Sequence, residues 1–561
     1  MSEKVSRRDF LMESTKAMAV LSVSPLKIDA SPSFDLVLRN GTIIDGTGSP
    51  GAIADIGISG DRIAAIGSIA AEQARRAVDV RGLHVAPGFI DIHSHSDGSI
   101  LAYPGAESRV YQGVTTELTG NCGSSAAPIS GLRAAEARNT WLADEGIKAD
   151  WDDVASYLET LDRSKTAINQ ALLLGQGTLR ESAIGMVDRV LSTDEMKQIL
   201  HSTEEGMDQG AYGLSTGLEY TPGTYTPIEE IVEMSRIVAR YGGLYASHTR
   251  NEVDRHLEAV HEAIEIGKRA GVRVEVSHLK VCGSRNWHMQ RSSIALIEAA
   301  RASGVDVLAD AYPYTAYSTG LDLFLPAWAR EGGSPAIVER LRDAKLRAQM
   351  RMEAESYILK LEPGGYDLIV ISDLRSERNR ALVGKNMIEI AGIWKIEPAE
   401  ALMRLLEEEE TGVSYIGHAM SPENVEMVLT SPLVMIGSDG STMAPTGRAA
   451  QTRPHPRSYG CYPRVLTLYC RERRLFDLPT AIRKMTSMPA DQIGLADRGR
   501  IAAGKKADLV IFSAEGVRDG ATFDDPHRYP TGIPHVLVNG VFVIENGVHT
   551  GARPGHVLRR G

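Results

Sequence analysis

Between residues 88 and 440 the chain alternates short apolar runs with amphipathic stretches. The apolar runs end at His95, Cys122, Gly177, Glu219, His248, His278, Tyr312 and Asp439. The stretches between them, such as NEVDRHLEAVHEAIEIGKRAG and TDEMKQILHSTEEGMDQG, carry apolar residues at three- and four-residue intervals, the spacing of a helix face. Glycine closes several of these helices before the next strand, as at Gly210, Gly242 and Gly271. Eight strand–helix repeats predict an α/β fold of the (β/α)8, TIM-like barrel kind. In such a barrel the functional side chains gather at the C-terminal strand ends.

The two ends of the chain read differently. FDLVLRNGTIIDGTG has two alternating apolar runs around Asn40-Gly41, a hairpin signal, and ADIGISGDRIAAIG repeats the device at Gly60-Asp61. Near the C-terminus, GKKADLVIFS and IPHVLVNGVFVIENG again read as strands, with Asn539-Gly540 as a turn. Neither piece is large enough to bury a good core alone. One small β-sandwich built from both chain ends is therefore expected, from residues 31–87 and 498–561, around a barrel over 88–497. The seventh and eighth barrel strands lie much further apart than one helix and its loops require. An inserted segment after strand 7, about 325–400 and mostly helical by composition, is predicted on the catalytic face, either as a pocket wall or as a surface ornament.

Charge narrows the partners. The 561 residues carry a formal net charge of -11, which argues against a nucleic-acid footprint and a polybasic membrane patch. No apolar run approaches the roughly 20 residues needed to span a bilayer. A small-molecule substrate is left. The four cysteines, Cys122, Cys282, Cys461 and Cys470, form neither a disulfide framework nor a C-x-x-C knuckle. At the N-terminus, Arg7 and Arg8 followed by Asp9, Phe10 and Leu11 have the order of a twin-arginine signal, and a short apolar stretch runs from Ala17 to Pro25. Residues 1–30 are read as that signal, and a periplasmic or exported location follows from it.

The strand ends carry the chemistry. His93 and His95, two residues apart on one strand, face the same side. Cys122 ends the second strand in TGNCGSS, His248 the fifth in YASHTRNE, His278 the sixth in VEVSHLK and Asp439 the eighth in IGSDGS. Four imidazoles, one thiol and one carboxylate around one barrel mouth are preferred ligand types for zinc. A lone H-x-H would read as a solvated strand end. Six such groups on five strand ends do not.

This pattern resembles the amidohydrolase superfamily, with its H-x-H on strand one, histidines on strands five and six, and aspartate on strand eight. Within it, GNCG, GQGTLR, GLSTGLEYTPG, SHLK, AYPYTA and RPHPRSYG resemble the N-acyl-D-amino-acid deacylase family from about Phe34 to the last strands. The resemblance implies one tightly held zinc on Cys122, His248 and His278. It implies a second, weaker site on His93, His95 and Asp439, with Cys122 placed to bridge. Other superfamily members bridge two metals with a carboxylated lysine on strand four, but AYGLSTGLEY has no lysine and Cys122 takes that place. The family commonly has a histidine where this chain has Gln176, to which no catalytic role is given.

The implied reaction is zinc-dependent hydrolysis of the amide of an N-acyl-D-amino acid. Zinc lowers the pKa of bound water toward roughly 7, and Asp439 is the general base that passes the water proton to the leaving amine. By the same resemblance Lys280, Tyr312, Ser318 and Arg457 grip the substrate carboxylate. Rival readings are a dipeptidase acting on D-amino-acid-containing dipeptides, a cyclic amidohydrolase of the dihydroorotase or hydantoinase type, and a catalytically silent binding protein. Among the other candidates, His256 and His261 are expected on a helix surface, His288 and His418 in loops without partners, and Cys282, Cys461 and Cys470 as packed thiols. Glu219 is a candidate support for a metal ligand.

Overall fold

The computed structural model describes residues 33–134, 146–361 and 365–560. Arg7, Arg8 and the expected signal segment lie outside the described residues.

Barrel strands form at the eight expected places: β6 (Phe89–Asp91), β7 (Val114–Thr119), β8 and β9 (Asn169–Leu172 and Leu174–Gly175, interrupted only at Leu173), β10 (Gly213–Gly217), β11 (Leu244–His248), β12 (Arg273–Val276), β13 (Val307–Ala311) and β17 (Val434–Ile436). All neighbouring pairs are parallel: β6–β7–β8 in one run and β9–β10–β11–β12–β13–β17 in the other. The ring closes just above the strands. Ser94 and Gly440 form a parallel bridge, His93 O accepts from Asp439 N at 2.8 Å, and His95 N donates to Gly440 O at 2.8 Å. These bonds set the first and eighth strand ends side by side.

Alternation along the strands divides the core. Leu244 and Ala246 of β11 cluster with Ile90, Ile92, Leu118, Leu173 and Met435 from other barrel strands, which is the barrel interior. Tyr245, between them, belongs to the larger core shared with the surrounding helices. Those helices form where the spacing predicts. One runs Thr193–Asp208 behind a reciprocal cap, in which Ser192 Oγ accepts from Glu195 N at 3.3 Å and Glu195 Oε2 accepts from Ser192 N at 2.8 Å. Another runs His256–Ala270 and ends at Gly271, whose left-handed φ of 68° suits glycine.

Both chain ends join one nine-stranded sheet. β1 (Phe34–Ile43) pairs with β2 (Ala52–Ser59), β4 (Ala74–Asp79) and β5 (His84–Pro87), and β3 (Arg62–Gly67) pairs with β2. β5 pairs antiparallel with β18 (Leu509–Phe512), which leads on to β19 (His535–Val538), β20 (Val541–Glu545) and β21 (Val548–His549). Leu36, Leu38, Ile56 and Ile58 from one end share a core with Leu509, Ile511 and Leu537 from the other. The two contributions are thus hydrogen-bonded into one sheet around that core.

The inserted segment differs from its expected outline. It is not only helical and it reaches beyond 325–400 on both sides. β14 (Tyr317–Gly320), β15 (Ile369–Leu374) and β16 (Val413–Gly417) form an antiparallel sheet of order β14–β16–β15, with helices such as Gly333–Arg342, Ala344–Leu361 and Pro398–Glu408 between its strands. Tyr317, Ser318, Thr319, Leu323, Tyr357 and Leu361 from this segment line the cavity over the barrel mouth, so it is a pocket wall. Among the described residues, no helix is long and apolar enough to cross a membrane.

Candidate metal centre

The six residues expected as ligands meet at the barrel mouth. Cys122 Sγ lies 3.3 Å from His93 Nε2 and 3.4 Å from His278 Nε2. His248 Nδ1 lies 3.0 Å from His278 Nε2. Asp439 Oδ1 lies 3.0 Å from His95 Nε2 and 3.5 Å from His93 Nε2. Two donor groups result, His93–His95–Cys122–Asp439 and Cys122–His248–His278, each with its atoms within 4.8 Å of one another and with the thiol common to both. Two ligands at zinc bond lengths and a tetrahedral angle stand roughly 3.3–3.6 Å apart. The donor set fits that ion in type and in spacing.

The rings are aimed by carboxylates behind them. Asp310 Oδ2 is 3.2 Å from His93 Nδ1, Glu219 Oε2 is 3.2 Å from His248 Nε2, and Glu252 Oε1 is 3.0 Å from His278 Nδ1. Each takes one ring nitrogen and leaves the other facing the thiol or the neighbouring donors, which is how metal-binding imidazoles are held. Lys280 donates to the same Glu252 oxygen at 2.7 Å. Tyr357 donates to Glu219 at 3.2 Å, tying the inserted segment to the His248 support.

Electrostatics favour ligand-ready forms of the acidic donors. Burial pushes the Cys122 thiol up, but the rings of His93, His278 and His95 outweigh it and hold the group well below the ordinary thiol range. Burial likewise opposes ionisation of Asp439, and Arg457, His278 and His95 overcome it, so Asp439 stays a carboxylate. Three of the six donors sit on left-handed backbone: Cys122 at φ 52°, His278 at 35° and Asp439 at 51°. Around Cys122 the packing is close enough to demand glycine nearby. A Cβ on Gly217 would lie 2.1 Å from Cys122 O, and one on Gly123, itself at φ 74°, would lie 2.5 Å from Gly217 N.

The four residues expected at the substrate carboxylate are placed unequally. Lys280, Ser318 and Arg457 line a cavity of about 380 Å³ that opens on Cys122, His248, His278 and Asp439. Tyr312 stands behind it, buried, with its hydroxyl free of protein partners and its ring 5.8 Å from the Lys280 ammonium and 4.9 Å from the Arg457 guanidinium. Arg457 pairs with Asp439 at 2.7 Å and donates to Ser318 O at 3.3 Å. Gln176 is fully buried and donates to Thr226 Oγ1 at 3.0 Å, while its neighbour Gly177 reaches the cavity.

Several outcomes correct or extend the sequence reading. His256 is buried, not on the surface, and burial pushes it down to about 4. Its helix face includes Ala259, Val260 and Ala263, so the three- and four-residue spacing carried the signal. His261 is exposed as expected. His288 sits in a 3-10 turn, Trp287–Met289, and not in a loop, with its Nδ1 3.0 Å from Arg285 O, and His418, in a loop, packs edge-on against Phe523 at 4.8 Å, so both have contacts. Cys282 lines the cavity as a buried thiol whose ionisation burial opposes, and Cys461 is buried too. Glu219 supports His248 as the sequence suggested. Glu252 and Asp310 were missed. Glu252 follows β11 in a loop with no periodicity to read, and Asp310 sits one residue before the end of β13, where an inward acid looks like any other strand residue.

The chain resembles known proteins over nearly its whole length. The model of the amidohydrolase family matches residues 76–354 and 378–544. The chain is 37% identical over 536 residues to the D-aminoacylase of Alcaligenes xylosoxydans xylosoxydans, covering 95% of this chain and 99% of that one. It is 36% identical over 530 residues to an N-acyl-D-glutamate deacylase of the same organism, covering 94% and 97%. A crystal structure of N-acyl-D-glutamate deacylase from Bordetella bronchiseptica, complexed with zinc and a phosphonate mimic of the tetrahedral intermediate, superposes with a TM-score of 0.79 at 35% identity over 94% of this chain and 100% of that one. With six metal-type donors on the expected strand ends and relatives matched end to end, the chain belongs to the amidohydrolase family, in its N-acyl-D-amino-acid deacylase branch.

Proposed function

We propose that the protein hydrolyses the amide bond of N-acyl-D-amino acids, releasing a carboxylate and a D-amino acid, with zinc as its metal. The observation that carries this reading is the Cys122 thiol shared by two donor groups, with the Asp439 carboxylate in one of them. Full-length relatives named D-aminoacylase, N-acyl-D-glutamate deacylase and N-acyl-D-aspartate deacylase support the substrate class.

Cys122, His248 and His278 would hold one zinc tightly, and His93, His95 and Asp439, with Cys122 shared, would hold a second more weakly. Bound zinc supplies Lewis acidity toward water and the amide carbonyl. The chain supplies the rest. Asp310, Glu219 and Glu252 keep three imidazoles in the ligating tautomer. Asp439 accepts the proton of the attacking water and delivers it to the nitrogen of the leaving amine. Arg457 keeps that carboxylate ionised and positioned. Lys280, at the cavity wall, offers the substrate carboxylate a cation, and Ser318 offers a hydroxyl.

The test is metal analysis of the purified protein coupled to acyl-release assays on matched D- and L-N-acetyl amino acids, D-containing dipeptides and hydantoins. Zinc with selective release from the D-series is the expected result. Selective turnover of hydantoins would move the assignment to cyclic amides, and zinc without any amide cleavage would leave the silent binding protein.

A further inference from the structure

A buried charge cluster lies beside the donor residues of the first and eighth strand ends. Successive residues of an extended chain face opposite ways. His93 and His95 belong to the donor group with Asp439. Ser94 and Ser96 turn the other way, and the Oγ of each lies 3.1 Å from Glu117 Oε1. The segment after β17 is held in the same manner. Ser438, next to Asp439, donates through Oγ to Asp91 Oδ2 at 2.5 Å, and Thr442 Oγ1 donates to Glu117 Oε2 at 3.3 Å.

One guanidinium ties the two carboxylates together. Arg109 Nε lies 2.6 Å from Glu117 Oε1, and Arg109 Nη1 lies 3.5 Å from Asp91 Oδ2. The same Nη1 donates to Ser438 Oγ at 3.0 Å. Asp91, Arg109 and Glu117 are all fully buried. The cluster also fixes backbone. Asp91 Oδ1 accepts from Ser438 N at 2.9 Å and from His93 N at 3.3 Å, and Ser96 Oγ accepts from Thr442 N at 2.8 Å.

These bonds reach the segments that carry His93, His95 and Asp439. β11 and the turn after β12, which carry His248 and His278, take no part in them. The rings of His248 and His278 are backed instead by Glu219 and Glu252. The two donor groups are therefore held by different sets of buried charges.

We propose that Glu117, with Arg109 and Asp91, is a positioning residue for the His93–His95–Asp439 group alone, and that it sets how tightly the second zinc is held. This rests on the zinc assignment made above. A ligand held a few tenths of an ångström from its place loses metal affinity, and partners one bond removed from the ligands are commonly worth about 10–100-fold. Cys122 is common to both groups and follows β7 beyond Glu117. The ratio of the two affinities is therefore the readout, since a general loosening of the fold would lower both.

The test withdraws zinc from the loaded full-length protein with a graded chelator and reads zinc per chain at each step. Wild type should release it in two steps, the weaker first. Glu117→Gln puts an amide N–H where an oxygen accepts, and Ser96→Ala deletes one hydroxyl of the same network. Each should weaken the first-released zinc by about 10-fold or more relative to the other. Should Glu117→Gln not fold, Ser96→Ala decides. A ratio equal to that of wild type overturns the proposal, whether zinc loss is nil or uniform. So does release from wild type in a single step. If the loaded wild type holds no zinc, the zinc assignment fails and takes this proposal with it. Acyl release from N-acetyl-D-methionine by the same wild-type sample judges the hydrolase reading separately: turnover with an unaltered ratio sinks the positioning role alone.

Discussion

Asp439 Oδ2 and Arg457 Nη1 stand 2.7 Å apart, and both side chains are more than nine-tenths buried. The pair joins a candidate metal donor to a cation of the cavity wall. Arg457 is the foremost of the groups that keep Asp439 ionised against its burial, so its loss weakens the carboxylate's charge and frees its position. Arg457→Met should therefore lower kcat as well as kcat/KM, by about 10²-fold or more. Steady-state kinetics on an N-acyl-D-amino acid separates the alternatives. A raised KM with kcat intact would confine Arg457 to gripping substrate.

Cys122→Ala should remove tightly bound zinc and activity together, because both donor groups lose their common member. Zinc content per chain, measured after dialysis, is the readout. A variant with its full complement of zinc would show that the imidazoles suffice without the thiol.

Asp439→Asn keeps the shape and one oxygen but removes the basic carboxylate. We expect kcat to fall by a factor on the order of 10²–10⁴, the usual share of general acid–base catalysis, with KM little moved. Zinc on Cys122, His248 and His278 should remain, since none of those residues is altered. Near-wild-type kcat excludes Asp439 as the base, and loss of the tight zinc makes it a structural ligand.

Asp519 provides a pH test remote from the metal donors. Its side chain is 9% exposed, accepts from Ala521 N at 3.1 Å and lies 3.5 Å from Arg464. Burial outweighs these partners and pushes the carboxyl up to about 6. An unfolded aspartate titrates near 3.9, so between about pH 4 and 6 the folded chain holds the extra proton. Stability contributed here falls as pH rises through that window, and the cost is complete above it. Asp519→Asn retains the acceptor for Ala521 without the buried charge. Its Tm should exceed the wild-type value by about 1–3 °C at pH 7.5, and the two should converge near pH 4.5. A difference independent of pH would refute the argument.

The Arg7–Arg8 pair carries the export expectation. Replacing both with lysine should leave the protein in the cytoplasmic fraction of a host with a working twin-arginine pathway. Unchanged recovery from the periplasm would sink that reading.

The barrel and its donors were legible because both follow from short-range periodicity. A strand with helix-spaced neighbours declares itself locally, and a barrel puts strand ends together whatever the loops do. β14, β15 and β16 were not legible. YSTG has no apolar alternation, and its strand exists only because Tyr317–Gly320 meets Ser414–Gly417 from far along the chain. Tertiary pairing made that choice, not propensity. The buried position of His256 was legible in its three-, four- and seven-residue spacing to Ala259, Val260 and Ala263, which marks the inward helix face. The supporting acid Glu252 had no local signature, since a loop residue is aimed by everything packed around it.

The left-handed backbone at Cys122, His278 and Asp439 sets durability against activity. At a φ between 35° and 52° a side chain with a Cβ is strained, by about 1–2 kcal/mol, where glycine is not. Aspartate and histidine tolerate such a backbone better than most residues, so Cys122 bears the sharpest conflict. Glycine at residue 122 would lift that strain and strip both donor groups of their common member, so the fold gives up backbone ease at this one position in order to keep its thiol.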